Sequence, residues 1–462
     1  MLGDEFENRK LMTMTRWMTV FAVCGAILGA RASFAAGLSG NYIARVSTTP
    51  TAEPQYARVS LKVDGSTVTG VWGDRQVSGR LTGSKIDLAL ADKGGGAAGA
   101  LSGAVTGSAM SGDGSLMPSR GRGGAGGGGR GGPADGQPQP VTWTLTAYTP
   151  PTTPKIYDFE PTSFYSTYSA SWTPVLHVYP ADTVRTRTID NARDAKATRY
   201  GTGGDPSTGP FYVEGALPGD TLVVHLKKVR ANRNSARQGS RINAHAVTAA
   251  YLVGAKYDPE FSGEWTLDLE KGIARLTHPT DRLKGFTVPI RTMLGCVSVA
   301  PSGQDQSRGT DLGSFGGNLD YNDNVEGTTL YFPVYHAGAL FGIGDAHAAM
   351  GDGELTGAAL ETSADVEFTV DVIKDEIYPQ VRAETKDYLI SFGVTGSVAE
   401  SIQASTTQMV EWLKKDYGMS DSEVALFLGA VLKYDITELV DPHFNVVAKV
   451  PKAALVSFKK SS

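Results

Sequence analysis

Tyr56-Ala-Arg-Val-Ser-Leu-Lys-Val-Asp-Gly-Ser-Thr-Val-Thr-Gly-Val-Trp72 sets the β-character of the chain. Apolar and polar residues alternate on both sides of Asp64-Gly65. A period of two gives a strand one apolar face. An Asp-Gly pair between two such runs marks a hairpin, because glycine accepts the positive φ of a tight turn. Val77-Ser-Gly-Arg-Leu81 and Lys85-Ile-Asp-Leu-Ala-Leu90 continue the meander, and Val141-Thr-Trp-Thr-Leu145 supplies a closing strand. The pattern predicts a small antiparallel β-unit over residues 38–150. Inside it the composition shifts between Asp92 and Gln139. There Pro118-Ser-Arg-Gly-Arg-Gly-Gly-Ala-Gly-Gly-Gly-Gly-Arg-Gly-Gly-Pro133 has too little apolar surface to offset its ordering entropy, which predicts a disordered Gly/Arg-rich loop over about 92–139.

Outward from this unit, the N-terminus reads as a targeting segment. Trp17-Met-Thr-Val-Phe-Ala-Val-Cys-Gly-Ala-Ile-Leu-Gly-Ala30 follows Arg16, and Ser33-Phe34-Ala35 offers small residues to a signal peptidase. The expectation is a signal peptide over 1–35, a periplasmic or secreted protein, and no stable membrane contact once the leader is removed; an uncleaved anchor is the competing reading. Cleavage leaves Cys296 alone, so no intramolecular disulfide forms. With 43 Lys+Arg against 48 Asp+Glu, the net charge of −5 lacks the basic excess of a nucleic-acid binder, and no nucleic-acid partner is expected.

Tyr148-Thr-Pro-Pro-Thr-Thr-Pro154 is a semi-rigid boundary. Beyond it come short β-like runs such as Thr221-Leu-Val-Val-His-Leu-Lys-Lys-Val229 and Val366-Glu-Phe-Thr-Val-Asp-Val372, separated by glycine-rich connections. The expected fold is mainly β, a sandwich or barrel-like core over 153–462. The final segment changes period. Ser397 with Glu400 and Ser420 with Glu423 are capping-box pairs ahead of apolar residues at helical spacing, predicting two C-terminal helices joined by Tyr417-Gly-Met419. An exposed apolar face on these helices would suit a homodimer.

Chemistry concentrates in Gly342-Ile-Gly-Asp-Ala-His-Ala-Ala-Met-Gly-Asp-Gly-Glu354. If the segment is extended, Asp345 and His347 share a face, as Asp352 and Glu354 do, and carboxylate with imidazole suits Zn²⁺ or a similar ion. The apolar lead-in Ala339-Leu-Phe-Gly-Ile343 implies a buried strand running into the cluster; the plain alternative is a solvated turn. Asn318 and Asp320 in Gly313-Ser-Phe-Gly-Gly-Asn-Leu-Asp320 form a second candidate, against a reading as a self-satisfied turn. Asp190 ends Val184-Arg-Thr-Arg-Thr-Ile-Asp190. Glu214, inside an apolar run, must be paired or functional, whereas Asp220 reads as a surface turn residue. His336 is the best placed of the scattered histidines, and Cys296 reads as a small buried hydrophobe. Neither H-E-x-x-H nor G-x-S-x-G occurs.

Several of these stretches resemble the acetamidase/formamidase family, in order over about 153–462. Gly209-Pro-Phe-Tyr-Val-Glu-Gly-Ala-Leu-Pro-Gly-Asp220 is similar to its GP-x-x-V-x-GA-x-PGD block, and Gly295–Pro301 to its G-x-x-x-x-AP strand. Gly316–Asp320 resembles GGN-x-D, Pro333–Leu340 resembles PV-x-x-x-GAL, and Gly344–Glu354 resembles GD-x-HA-x-x-GDGE. The Leu439–Lys452 tail is similar to the family's ending. The resemblance implies hydrolysis of small amides to carboxylate and ammonia on a mostly β scaffold with a divalent metal ion. It carries over Asp190, Asn318, Asp320, Asp345, His347 and Glu354 as site positions. Within that set we expect Asp345, His347, Asp320 and Asp190 to hold the metal, Glu354 to act as general base and Asn318 to face the developing oxyanion, with Asp352 a further proton-transfer candidate. Two rivals remain: a non-catalytic exported β-protein binding a small ligand or glycan, and a metal-free amidase using Cys296.

Overall fold

The computed structural model describes residues 37–50, 52–117, 137–190, 198–200, 205–304 and 306–460. The expected leader and the Pro118–Pro133 tract lie outside the described residues. The chain divides into two compact units at Pro150/Pro151. Among the described residues no helix is long and apolar enough to cross a membrane.

The first unit is a closed antiparallel barrel of eight strands: β1 (Gly40–Ser47), β2 (Gln55–Asp64), β3 (Thr67–Trp72), β4 (Arg75–Thr82), β5 (Lys85–Ala91), β6 (Ala97–Thr106), β7 (Ala109–Leu116) and β8 (Gln139–Ala147). Ala44 of β1 stands opposite both Ala57 of β2 and Leu145 of β8, so the sheet closes and no edge is left to pair with another chain. Asp64 faces Thr67 across the first hairpin, where Gly65 has φ 59°. The apolar set of each strand points inward, and Trp72 and Trp143 meet edge-to-face at 6.2 Å. Small residues make room for large ones: a Cβ on Gly103 would lie 2.6 Å from the Trp143 ring. Side chains therefore fill the barrel interior.

One expectation needs correction here. The loop predicted from Asp92 holds two full strands, β6 and β7. Leu101, Val105, Met110 and Leu116 supply their inward face, but Gly, Ala and Ser between them mask the alternation. Small residues weaken the compositional signal without weakening the ladder.

In the second unit two large sheets share one core. One contains Ser207–Val213, Met293–Ser298 and Phe341–His347; the other contains Thr221–Ala231, Thr329–Pro333, Ala364–Ile373, Tyr388–Thr395, Lys433–Glu438 and Phe444–Pro451. Phe211 and Phe341 from the first sheet both reach Phe368 of the second, each with ring centroids 5.3 Å apart. This is a β-sandwich with C-terminal helices. The Tyr388–Thr395 strand is buried on both faces: Ile390 and Phe392 enter the sandwich core, and Leu389 packs with Met409 and Leu413 of the helix Val398–Tyr417. Ser397 and Ser420 cap the two helices as their spacing predicts, with the reciprocal box complete at Ser420/Glu423, and Gly418 at φ 64° ends the first.

Candidate active site

Phe341–His347 is the buried strand predicted by its apolar lead-in. It lies between Ser207–Val213 and Met293–Ser298, with Cys296 opposite Gly344 and Met293 opposite His347. Its end delivers Asp345 and His347 into the sheet, where His347 Nε2 is 3.2 Å from Asp345 Oδ2. Asp320 arrives from the neighbouring turn, held by its backbone N–H donating to Gly295 O at 3.3 Å, and its Oδ1 is 3.8 Å from His347 Nδ1. Glu361 faces His347 across the next strand pair, 3.2 Å from Nε2, and Glu354 lies 3.9 Å from the same nitrogen. Glu354 is fixed by accepting the Ala359 N–H at 2.8 Å. From the other sheet, Glu438 and Asp441 complete a group with Asp320, and Asp205 with Cys296 and Asp345 forms another, the potential donor atoms in each lying within 4.8 Å of one another.

The backbone is strained at this place. Asp320, Asp345 and Glu354 have φ of 40°, 50° and 42°, a region that costs L-residues energy and clusters at functional sites.

His347 is the cation at ion-pair distance from Asp320, Asp345, Glu354 and Glu361 among the described residues. Burial works against its charge, but Glu361 and Asp345 outweigh burial and hold the imidazolium well above the usual histidine range. Burial, reinforced by neighbouring carboxylates, pushes Asp320 and Glu354 well above ordinary values. Glu361, Glu438 and Asp441 are each pushed up to about 7, burial being the main cause in every case.

Such a centre fits a divalent cation. Both oxygens of Asp320, Oδ1 of Asp345, both ring nitrogens of His347 and Oε2 of Glu438 are buried without a hydrogen-bond partner, a cost that coordination would remove. Gly295 makes the cradle: a Cβ there would stand 2.4 Å from Asp345 Oδ2 and 2.5 Å from Asp320 Oδ1. Imidazole with carboxylates is a donor set for zinc or a similar ion.

Other expected site residues go elsewhere. Asp190 is fully buried but paired with Arg233 at 2.7 Å and joins none of the acid groups, because an arginine supplies its counter-charge. Asp352 does not repeat the geometry of Asp345/His347: Asp352–Glu354 is a 3-10 turn that exposes Asp352, which accepts from Asn322, and buries Gly353 and Glu354. Asn318 does reach the centre, donating to Asp441 Oδ2 at 2.9 Å and accepting from Cys296 Sγ at 3.0 Å. Asp220 is a buried turn residue, not a surface one, accepting from the N–H groups of Leu217 and Asp375. Glu214 is paired with His177 at 2.7 Å, and His336 bonds Pro301 O. Burial, with Asp345 and Asp205 beside it, pushes the Cys296 thiol well above its usual range, the reverse of an activated nucleophile.

Sequence reasoning missed Glu361, Glu438 and Asp205 as members of the cluster. Asp441 lies in the tail that carried the family resemblance but was given no role. The available signal was an acid beside a buried apolar run, as in Leu360-Glu361 and Thr437-Glu-Leu-Val440.

Residues 304–455 match the model of the acetamidase/formamidase family. A formamidase of Methylophilus methylotrophus is 28% identical over 311 residues, covering 53% of this chain and 74% of that protein. An acetamidase of Mycolicibacterium smegmatis is 23% identical over 296 residues, covering 48% and 72%. The crystal structure of a predicted acetamidase/formamidase from Thermoanaerobacter tengcongensis superposes with a TM-score of 0.57 at 24% identity, covering 66% of this chain and 99% of that one. Fold and relatives together define a hydrolase of amide C–N bonds. The match over residues 304–455 and these relatives support the acetamidase/formamidase family for the Pro151–Ser462 unit.

Proposed function

We propose that the protein hydrolyses small amides of the formamide and acetamide type to a carboxylate and ammonia at a divalent metal centre, zinc being the first choice, and that it works in the periplasm or outside the cell. The observation that carries the metal reading is the set of unpartnered buried donor atoms on Asp320, Asp345 and His347 around the Gly295 cradle. These three residues would hold the ion, and Glu438 and Asp441 flank Asp320. When bound, a divalent ion supplies Lewis acidity to an amide oxygen and lowers the pKa of water.

The chain's own groups do the rest. Glu354, anchored through the Ala359 N–H and with its proton affinity raised by burial, takes a proton from the attacking water and returns it to the leaving nitrogen. Asn318 uses one N–H to bind Asp441, and its second N–H is available to the developing oxyanion. The cluster lies within a sandwich core, where low polarity strengthens each of these interactions.

Ammonia release from formamide, acetamide and larger amides, before and after chelation and Zn²⁺ add-back, tests the reading. Activity that is lost and restored supports it; activity indifferent to thorough metal removal sinks the metal centre. Export is tested by the N-terminus of the protein recovered outside the cytoplasm, expected at Ala36. A purely cytoplasmic full-length chain would refute export.

A further inference from the structure

Cys296 takes no part in the reaction above, yet its side chain meets the residue that faces the oxyanion. The Met293–Ser298 strand pairs with Gly316–Asn318 so that Cys296 stands directly opposite Asn318. Side chains opposite one another across a strand pair share a face and touch. Here the contact runs from Cys296 Sγ to Asn318 Oδ1 at 3.0 Å. Both residues are interior, Cys296 fully buried and Asn318 4% exposed.

The hydrogen bonds around this pair have one consistent direction. An amide oxygen only accepts, and among the described residues Cys296 is the donor that reaches Asn318 Oδ1. The sulfur therefore carries its proton, as burial beside Asp345 and Asp205 also favours. The thiol's other acceptor, Gly309 O, lies 3.8 Å away. The Tyr168 hydroxyl sits 3.0 Å from Sγ and 2.8 Å from Gly309 O, with one proton to give. Donation to Sγ turns the S–H toward Asn318, and donation to Gly309 O occupies the competing acceptor. At the far end of the amide, Asn318 Nδ2 donates to Asp441 Oδ2 at 2.9 Å. With its oxygen and one N–H engaged, the amide has a single free N–H of fixed direction.

We propose that Cys296 is a positioning residue for amide hydrolysis: its thiol holds the Asn318 amide in the orientation that presents this free N–H to the developing oxyanion, and Tyr168 steers the thiol. The proposal rests on the amide-hydrolase reading above and on the oxyanion role of Asn318 within it. An oxyanion gains more from a fixed donor than the ground-state carbonyl does, so a loosened amide costs the transition state more than the bound substrate. The loss accordingly falls on kcat and spares KM.

Packing and positioning predict opposite orders for two substitutions, which makes the test. Valine fills the space of a cysteine without a donor, whereas serine keeps a donor and fills the space less well. In acetamide hydrolysis C296S is expected to keep kcat within about threefold of wild type and C296V to lose at least about tenfold, with KM little changed in both. Y168F is expected to lower kcat by a few fold. A second measurement needs no turnover: the S–H stretching band in the Raman spectrum, recorded with Cys24 replaced by serine so that Cys296 is the only thiol. It is expected below the position of a free thiol and to rise in N318A. A free-thiol band in the wild type, or one unmoved by N318A, overturns the proposal even where C296V fails to fold. C296V turning over acetamide as fast as C296S overturns it too, while that turnover leaves the hydrolase reading standing. No turnover of any amide by the wild type overturns both.

Discussion

In the barrel, Gly103 makes room for the Trp143 ring; in the sandwich, Gly295 makes room for the carboxylates of Asp320 and Asp345. The same device, a missing Cβ, serves opposite ends. Around Trp143 the released space is filled by apolar surface from the chain itself, which stabilises the fold directly. Around Gly295 it is filled by charge whose close cation among the described residues is His347, and buried donor atoms on Asp320, Asp345, His347 and Glu438 are left for something outside the chain to satisfy. One interior is finished by folding, and the other is finished by binding.

Substitutions can break or sharpen this contrast. The largest effect is expected at the acid centre. Glu354→Gln should lower amide turnover by about 10³-fold, with metal content by elemental analysis unchanged. His347→Ala should remove both metal and activity. Retained turnover in E354Q would refute the general-base role. Next comes Trp143→Ala, expected to destabilise the barrel by about 3–5 kcal/mol while leaving kcat/KM for acetamide within a few fold; hydrogen exchange in β7 and β8 reads the first effect. If amide kinetics fell in step with barrel stability, the separation drawn between the two interiors would fail.

The two glycines give a matched pair of smaller effects. Gly103→Ala should cost about 1–3 kcal/mol by overpacking and show in thermal unfolding. Gly295→Ala should instead show in metal affinity, because its Cβ meets carboxylate oxygens.

The pH dependence follows from the raised carboxylates. Glu361, Glu438 and Asp441 titrate near 7 in the folded, metal-free chain, above their unfolded values near 4. The native state then holds protons that the unfolded chain has released, so stability falls as pH rises from about 4 to about 7. Adding a divalent ion at pH 7 to 8 should recover it, and thermal melts with and without chelator check both signs. A melting temperature that rises across that window would contradict the assignment. The smallest effect is at Ser420→Ala, about 1 kcal/mol for a lost helix cap, with no change in metal content.

What the sequence made legible follows the same physics. The hairpin at Asp64-Gly65, the strand entering Asp345 and the helix caps at Ser397 and Ser420 depend on local spacing, and local spacing is written in the chain. β6 and β7 were hidden because Gly, Ala and Ser give alternation no contrast. Glu361 and Glu438 were hidden because each is a single acid in an apolar context, brought to Asp320 and His347 only by pairing across sheets. Asp190 failed in the opposite way. Its motif position was suggestive, but the fold set Arg233 beside it.

The left-handed backbone at Asp320, Asp345 and Glu354 has a consequence for how this protein can change. Asparagine and glycine are more at ease in that conformation than aspartate flanked by other acids or glutamate. Replacing any of the three would relieve both backbone strain and charge repulsion while removing chemistry. A lineage or a laboratory library selected for thermal robustness alone should therefore slide toward Asn and Gly at these positions, ending in well-folded, inert proteins. Retention of the three acids has to be enforced by selection for turnover.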